Sequence, residues 1–162
     1  MTLRRRWMTA LPLAAAAAGF GRARAADAPP GRPANERFPG DPPQHKLVYQ
    51  LNRAEPEYIE AILNSVGAMI GKYQDNVAIA VVVFGPGIHL LAKQPKRPVP
   101  PALRQRVVSQ ARDYGVSYVA CGNTMQTLGW TAKDIVEVAK VEQVGAASLM
   151  ELQEQGYAYI AW

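Results

Sequence analysis

One cysteine and two histidines are all that this 162-residue chain holds for disulfide or soft-metal chemistry. A lone Cys excludes an internal disulfide framework and any multi-Cys zinc site. With two His, a protein-only metal site needs carboxylates that no spacing here supplies, so neither metal nor cofactor is expected. Long apolar runs are scarce too. The stretch from Trp7 to Phe20 has 14 residues and is broken by Pro12, short of the roughly 20 that span a bilayer. Acidic side chains are missing from the first 25 residues, which carry Arg4, Arg5, Arg6, Arg22 and Arg24. Beyond them stand 13 basic and 13 acidic side chains, so the formal charge of +5 belongs to the N-terminus. No basic patch is left to grip nucleic-acid phosphates.

The N-terminus itself reads as an export address. An arginine pair, one residue and two apolar residues open it, an Ala-rich run follows, and Ala23-Arg24-Ala25 offers a cleavage pattern ahead of Ala26. The modest hydrophobicity and the Arg residues near the cleavage point resemble a twin-arginine signal, with an ordinary secretory signal as the alternative. Either route predicts a signal peptide over 1–25 and a mature protein working in the periplasm. No Cys stands near the cleavage point to carry a lipid anchor.

Residues 26–44 hold six prolines and two glycines and read as an extended linker that buries too little apolar surface to fold. The folded unit is then 45–162, about the size of one core. Lys46–Leu51 reads as a strand, and helical spacing of Ile59, Ile62, Leu63, Val66, Met69 and Ile70 follows Pro56. Val77–Phe84 is a continuous apolar run, as in a parallel strand covered on both faces. Pro100-Pro101 opens a second helix that stops at Gly115. Val116–Ala120 is a third strand; Asn123 and Thr131 read as helix caps, Thr131 in a capping box with Asp134. Val138–Val144, a helix over Ala146–Gln155 and a strand over Tyr157–Trp162 complete the series. Alternating strands and helices predict an α/β fold, a three-layer α/β/α sandwich around a five-stranded, mainly parallel sheet.

Ligands in such sheets bind at the carboxyl ends of the strands. Cys121 falls there, followed by Gly122-Asn123-Thr124-Met125. Unpaired N–H groups at a helix start would favour its thiolate and make it the catalytic candidate; the alternative is a small buried hydrophobe. Gly85-Pro86-Gly87 begins like a dinucleotide fingerprint, yet Leu90 stands where the third Gly belongs and Pro86 lacks an N–H, so nucleotide binding is not expected. A tight turn that helps line an anion pocket remains. His89 in that loop is either a base for Cys121 or a surface residue, whereas His45 lies on the opposite rim. Trp130, Tyr157, Tyr159 and Trp162 suit core or subunit contact better than a ligand platform. Lys93, Lys96 and Arg97 sit in a Pro-rich segment that reads as a solvated, mobile loop over the same rim.

Three blocks carry a likeness: Val82–Ile88, Gly115–Met125 and Leu152–Ile160. Together, and in this order, they resemble the DsrE/DsrF-like (YchN-like) family over nearly all of 45–162. The resemblance implies a five-stranded sandwich, homotrimers or hexamers, and a Cys, here Cys121, that carries sulfur as a persulfide and exchanges it with donor and acceptor proteins or small sulfur species. Gly122, Asn123 and the Gly85–Gly87 turn would then supply N–H groups to the terminal sulfur. Export departs from the cytoplasmic relay members and turns the expectation toward sulfur-compound oxidation outside the cytoplasm. The rival is a non-catalytic ligand-binding or assembly module in which Cys121 only packs; an electron-transfer protein lacks ligands.

Overall fold

The computed structural model describes Arg37 and residues 40–162; the expected signal peptide and most of the expected linker lie outside the described residues. The chain order is β1 (His45–Leu51), α1 (Pro56–Tyr73), β2 (Val77–Val83), α2 (Pro101–Tyr114), β3 (Ser117–Cys121), α3 (Gly122–Thr127), β4 (Ala139–Glu142), α4 (Gly145–Glu154) and β5 (Ala158–Ile160). Two 3₁₀ turns, Gly85–Leu91 and Ala132–Asp134, lie between them. The five strands form one sheet in the order β4-β3-β2-β1-β5, and every pairing is parallel.

Strand alternation divides the core into two. Leu47, Tyr49 and Leu51 of β1 and Ile79, Val81 and Val83 of β2 point to the face covered by α1 and α2. Val48, Ala80, Val82 and Val119 point to the other face, where Leu149 of α4 meets them. That two-sided burial is why β2 is an unbroken apolar run rather than an alternating one. Helix α1 buries Ile59, Ile62, Leu63 and Val66, the stripe its period predicts. One polar chain crosses the larger cluster. The Tyr118 hydroxyl donates to Gln110 Oε1 at 2.6 Å, and Gln110 Nε2 donates to the Leu63 carbonyl at 3.0 Å. These bonds satisfy groups that would otherwise be costly to bury.

The differences from the expected boundaries have local causes. β4 ends at Glu142 rather than Val144 because the Gln143 carbonyl leaves the ladder to accept the Asn123 N–H at 2.9 Å. β5 starts at Ala158 because the Tyr157 N–H closes α4 on the Leu152 carbonyl at 3.0 Å. Gly85–Gly87 is the start of a 3₁₀ turn that runs to Leu91, longer than the tight turn expected. The capping box of Thr131 and Asp134 is present.

Candidate functional site at the end of strand β3

Cys121 is the last residue of β3, paired in register with Glu142 of β4. Its backbone is extended, φ −76° and ψ 115°, and the next residue begins α3. Cys121 therefore occupies the cap position that the sequence predicts for Asn123, which is instead the second residue of the helix. Asn lost the position because its side chain has a better partner: Gln143 Nε2 donates to Asn123 Oδ1 at 2.7 Å, beside the main-chain bond between the same two residues.

Two elements meet at the sulfur. Cys121 points to the α4 face, as Val119 does two residues earlier, and the Gly145 N–H at the start of α4 donates to Sγ at 3.3 Å. A β-carbon placed on Gly145 would lie 3.0 Å from Cys121 Cβ, 3.4 Å from Sγ and 3.5 Å from the Phe84 ring. Only glycine lets the helix come this close. From the other side, the first turn of α3 brings up the N–H groups of Thr124 and Asn123 and the Thr124 hydroxyl, without forming a cap bond of full hydrogen-bond geometry. Burial pushes the thiol pKa up and is the largest single influence. The donors of Thr124, Gly145 and Asn123 together outweigh it, so the thiol sits below its ordinary value. The residue is 6% exposed.

The other predicted site residues are distributed differently. Gly122 opens α3, with the Gln143 backbone 3.1 Å from where its β-carbon would be. The Gly85 N–H is engaged by Thr124 Oγ1 at 3.1 Å, so it supports the sulfur's neighbour and does not face a ligand. Gly87 is pressed against β1: a β-carbon there would meet the Leu51 carbonyl oxygen at 2.7 Å. His89 is not a surface residue, and it is not among the groups that act on the Cys121 thiol. It is 4% exposed, packs edge-on against Trp130 at 5.1 Å, and Trp130 together with the neighbouring Ile88, Leu90 and Leu91 belongs to the α1/α2 cluster. Burial, then the charges of Arg97 and Lys96, hold its pKa below the ordinary value. His45 opens β1 and stacks on Tyr73.

The loop expected to be solvated is exposed at Lys93, Lys96 and Arg97, and it makes side-chain contacts. Lys93 pairs with Glu137 at 2.6 Å, and Lys96 donates to the Leu128 carbonyl at 2.8 Å while lying over the Trp130 ring. Among the described residues no group of three or more His, Cys, Asp or Glu is placed to hold a metal ion, and no helix is long and apolar enough to cross a membrane.

The family model for the DsrE/DsrF-like family matches residues 38–162. The chain belongs to the DsrE/DsrF-like family. Solved structures share the fold. The protein of unknown function MTH1491 from Methanobacterium thermoautotrophicum is 23% identical with a TM-score of 0.63, the match covering 73% of this chain and 99% of that one. The ychN protein from E. coli is 12% identical with a TM-score of 0.60 and the same coverage. The conserved protein of unknown function BT1422 from Bacteroides thetaiotaomicron is 16% identical with a TM-score of 0.52, covering 72% and 94%. No curated protein matches the chain.

Sequence reasoning missed three contributors to the site in this DsrE/DsrF-like chain. Thr124 had a usable signal, a hydroxyl three residues after a strand-ending Cys, the spacing of a first-turn donor. Gly145 and Gln143 had none that is local, since each lies 20 or more residues along the chain and reaches the Cys121–Asn123 segment from just past the end of β4.

Proposed function

We propose that this DsrE/DsrF-like protein is an exported sulfur carrier that holds sulfane sulfur as a persulfide on Cys121. It works in the periplasm as a homo-oligomer, a trimer or hexamer, in the oxidation of sulfur compounds. The family is associated with sulfur relay, and the observation that carries the reading to this residue is the Gly145 N–H donated to Sγ at 3.3 Å. Backbone donors at a strand end favour the thiolate form of such a sulfur and lower its pKa from the ordinary thiol value.

The transfer balances without an external oxidant. The Cys121 thiolate attacks the outer sulfur of a persulfide R–S–SH; the new S–S bond forms as the old one breaks, and R–S⁻ leaves with the electron pair. The proton stays on the outer sulfur, now Cys121–S–SH, and an acceptor thiolate reverses the step. Thr124 and Gly145 replace the Gly85–Gly87 turn as the donors nearest that sulfur. Intact mass after incubation with polysulfide tests the reading. One added sulfur on the wild type and none on Cys121→Ser is expected; no gain, or equal gain in both, sinks it.

The 6% exposure of Cys121 favours one other reading, an assembly or ligand-binding module in which the sulfur only packs. Labelling of the native thiol at neutral pH supports the carrier, whereas labelling only after denaturation supports the module. Assembly is supported by Met150 of α4 and Trp162 after β5, each 54% exposed. Met150→Glu is expected to lower the sedimenting mass. Export predicts a mature N-terminus at Ala26 in the periplasmic fraction of an expressing bacterium.

A further inference from the structure

The distance that defines the site, Gly145 N to Cys121 Sγ, is not set by β4 itself. The ladder between β3 and β4 ends at the Cys121 and Glu142 pair, and two residues, Gln143 and Val144, separate that pair from the Gly145 N–H that reaches the sulfur. Gln143 closes this gap at two points. Its carbonyl accepts the Asn123 N–H at 2.9 Å, its side-chain amide donates to Asn123 Oδ1 at 2.7 Å, and its backbone packs into the space left open by Gly122. The result is a two-bond clasp between the first turn of α3, which begins at the Cys, and the residue two before Gly145.

We infer that Asn123 and Gln143 are positioning residues: their paired amides hold the start of α4 at hydrogen-bonding distance from the Cys121 sulfur. The inference rests on the reading of Cys121 as a working thiolate. Asn123 then serves the sulfur through Gln143 rather than as a dedicated donor, and Gly122 is small so that Gln143 can fit. Because both partners are exposed amides, the bond is worth no more than an ordinary neutral one, and its effect appears in the thiol rather than in folding.

The test uses the full chain and the ultraviolet absorbance of the thiolate against pH. With one Cys in the sequence, subtraction of the Cys121→Ser titration leaves that group alone. Gln143→Ala and Asn123→Ala are each expected to move the midpoint to higher pH and cut the thiolate fraction at neutral pH about fivefold, the scale of one modest hydrogen bond. The double variant moves no further than either single one, as groups acting through one bond do. Gln143→Leu, which keeps bulk beside Gly122 but has no amide, is expected to follow Gln143→Ala; if Asn123→Ala fails to fold, the two Gln143 variants carry the test. Titrations superposing on the wild type, additive single effects, or a wild-type-like Gln143→Leu overturn the clasp. A wild type that takes no sulfur from polysulfide while the variants are displaced overturns the carrier and leaves the clasp standing. Sulfur uptake with superposed titrations does the reverse.

Discussion

The two faces of the sheet are built from alternate residues of the same strands, yet among the described residues α1 and α2 cover one of them and α4 alone covers the other. The first face has long apolar side chains, a satisfied polar chain through Tyr118 and Gln110, and no glycine contact with the site. The second has a small cluster, exposed Val144 and Met150, and the sulfur of Cys121 under the start of its one helix. The larger buried cluster lies on the thick face and the candidate sulfur on the thin one, the arrangement expected if the proposed carrier has to admit a partner. His89 and Cys121 illustrate the difference. Both stand on the carboxyl rim and both are nearly buried, but His89 is enclosed by side chains of the thick face, while Cys121 meets backbone donors on the thin one.

Core truncations test this contrast most strongly. Ile62→Ala, fully buried on the thick face, is expected to cost about 3–4 kcal/mol, and Leu149→Ala on the thin face about 2 kcal/mol, both from denaturant titration. Equal losses would remove the asymmetry. Gly145→Ala pushes a β-carbon against Cys121. We expect it to cost about 1–2 kcal/mol and to slow thiol alkylation, because α4 must withdraw its N–H; alkylation as fast as in the wild type would show that the close approach is unimportant.

Thr124→Val keeps the shape of the side chain and deletes the hydroxyl that accepts the Gly85 N–H. Its thiol midpoint should move to higher pH and its stability fall by about 1 kcal/mol, with Thr124→Ser close to the wild type. A Thr124→Ser variant as displaced as the valine would assign the effect to the methyl group. The smallest expected effect is that of His89. Its folded pKa is depressed below 6.5, so its contribution is whole above that value and drains as pH falls toward the lowered folded value, where the unfolded chain binds the proton first. The acid limb of stability against pH should be shallower in His89→Gln, and coincident limbs would remove His89 from the acid response.

Much of the architecture is legible along the chain because it depends on neighbours a few residues apart. The run Val77–Val83, the stripe of α1, the stop at Gly115 and the Thr131–Asp134 box are all short-range patterns, and so is the placement of Cys121 where a strand gives way to a helix. The donors on the sulfur are another matter. Thr124 was within reach of a local rule, whereas Gly145 lies 24 residues from Cys121 in the chain and reaches it directly from just past the end of β4, and His89 is buried against Trp130 because of how the Gly85–Leu91 turn packs.

The sequence by itself determined the α/β class, the order of elements and the candidate sulfur, since hydrophobic period and turn residues act locally. Only the tertiary structure decided the strand order, the uneven cover of the two faces and the partners of that sulfur. Those follow from which distant segments share a buried boundary, a property of packing that no single stretch of residues carries.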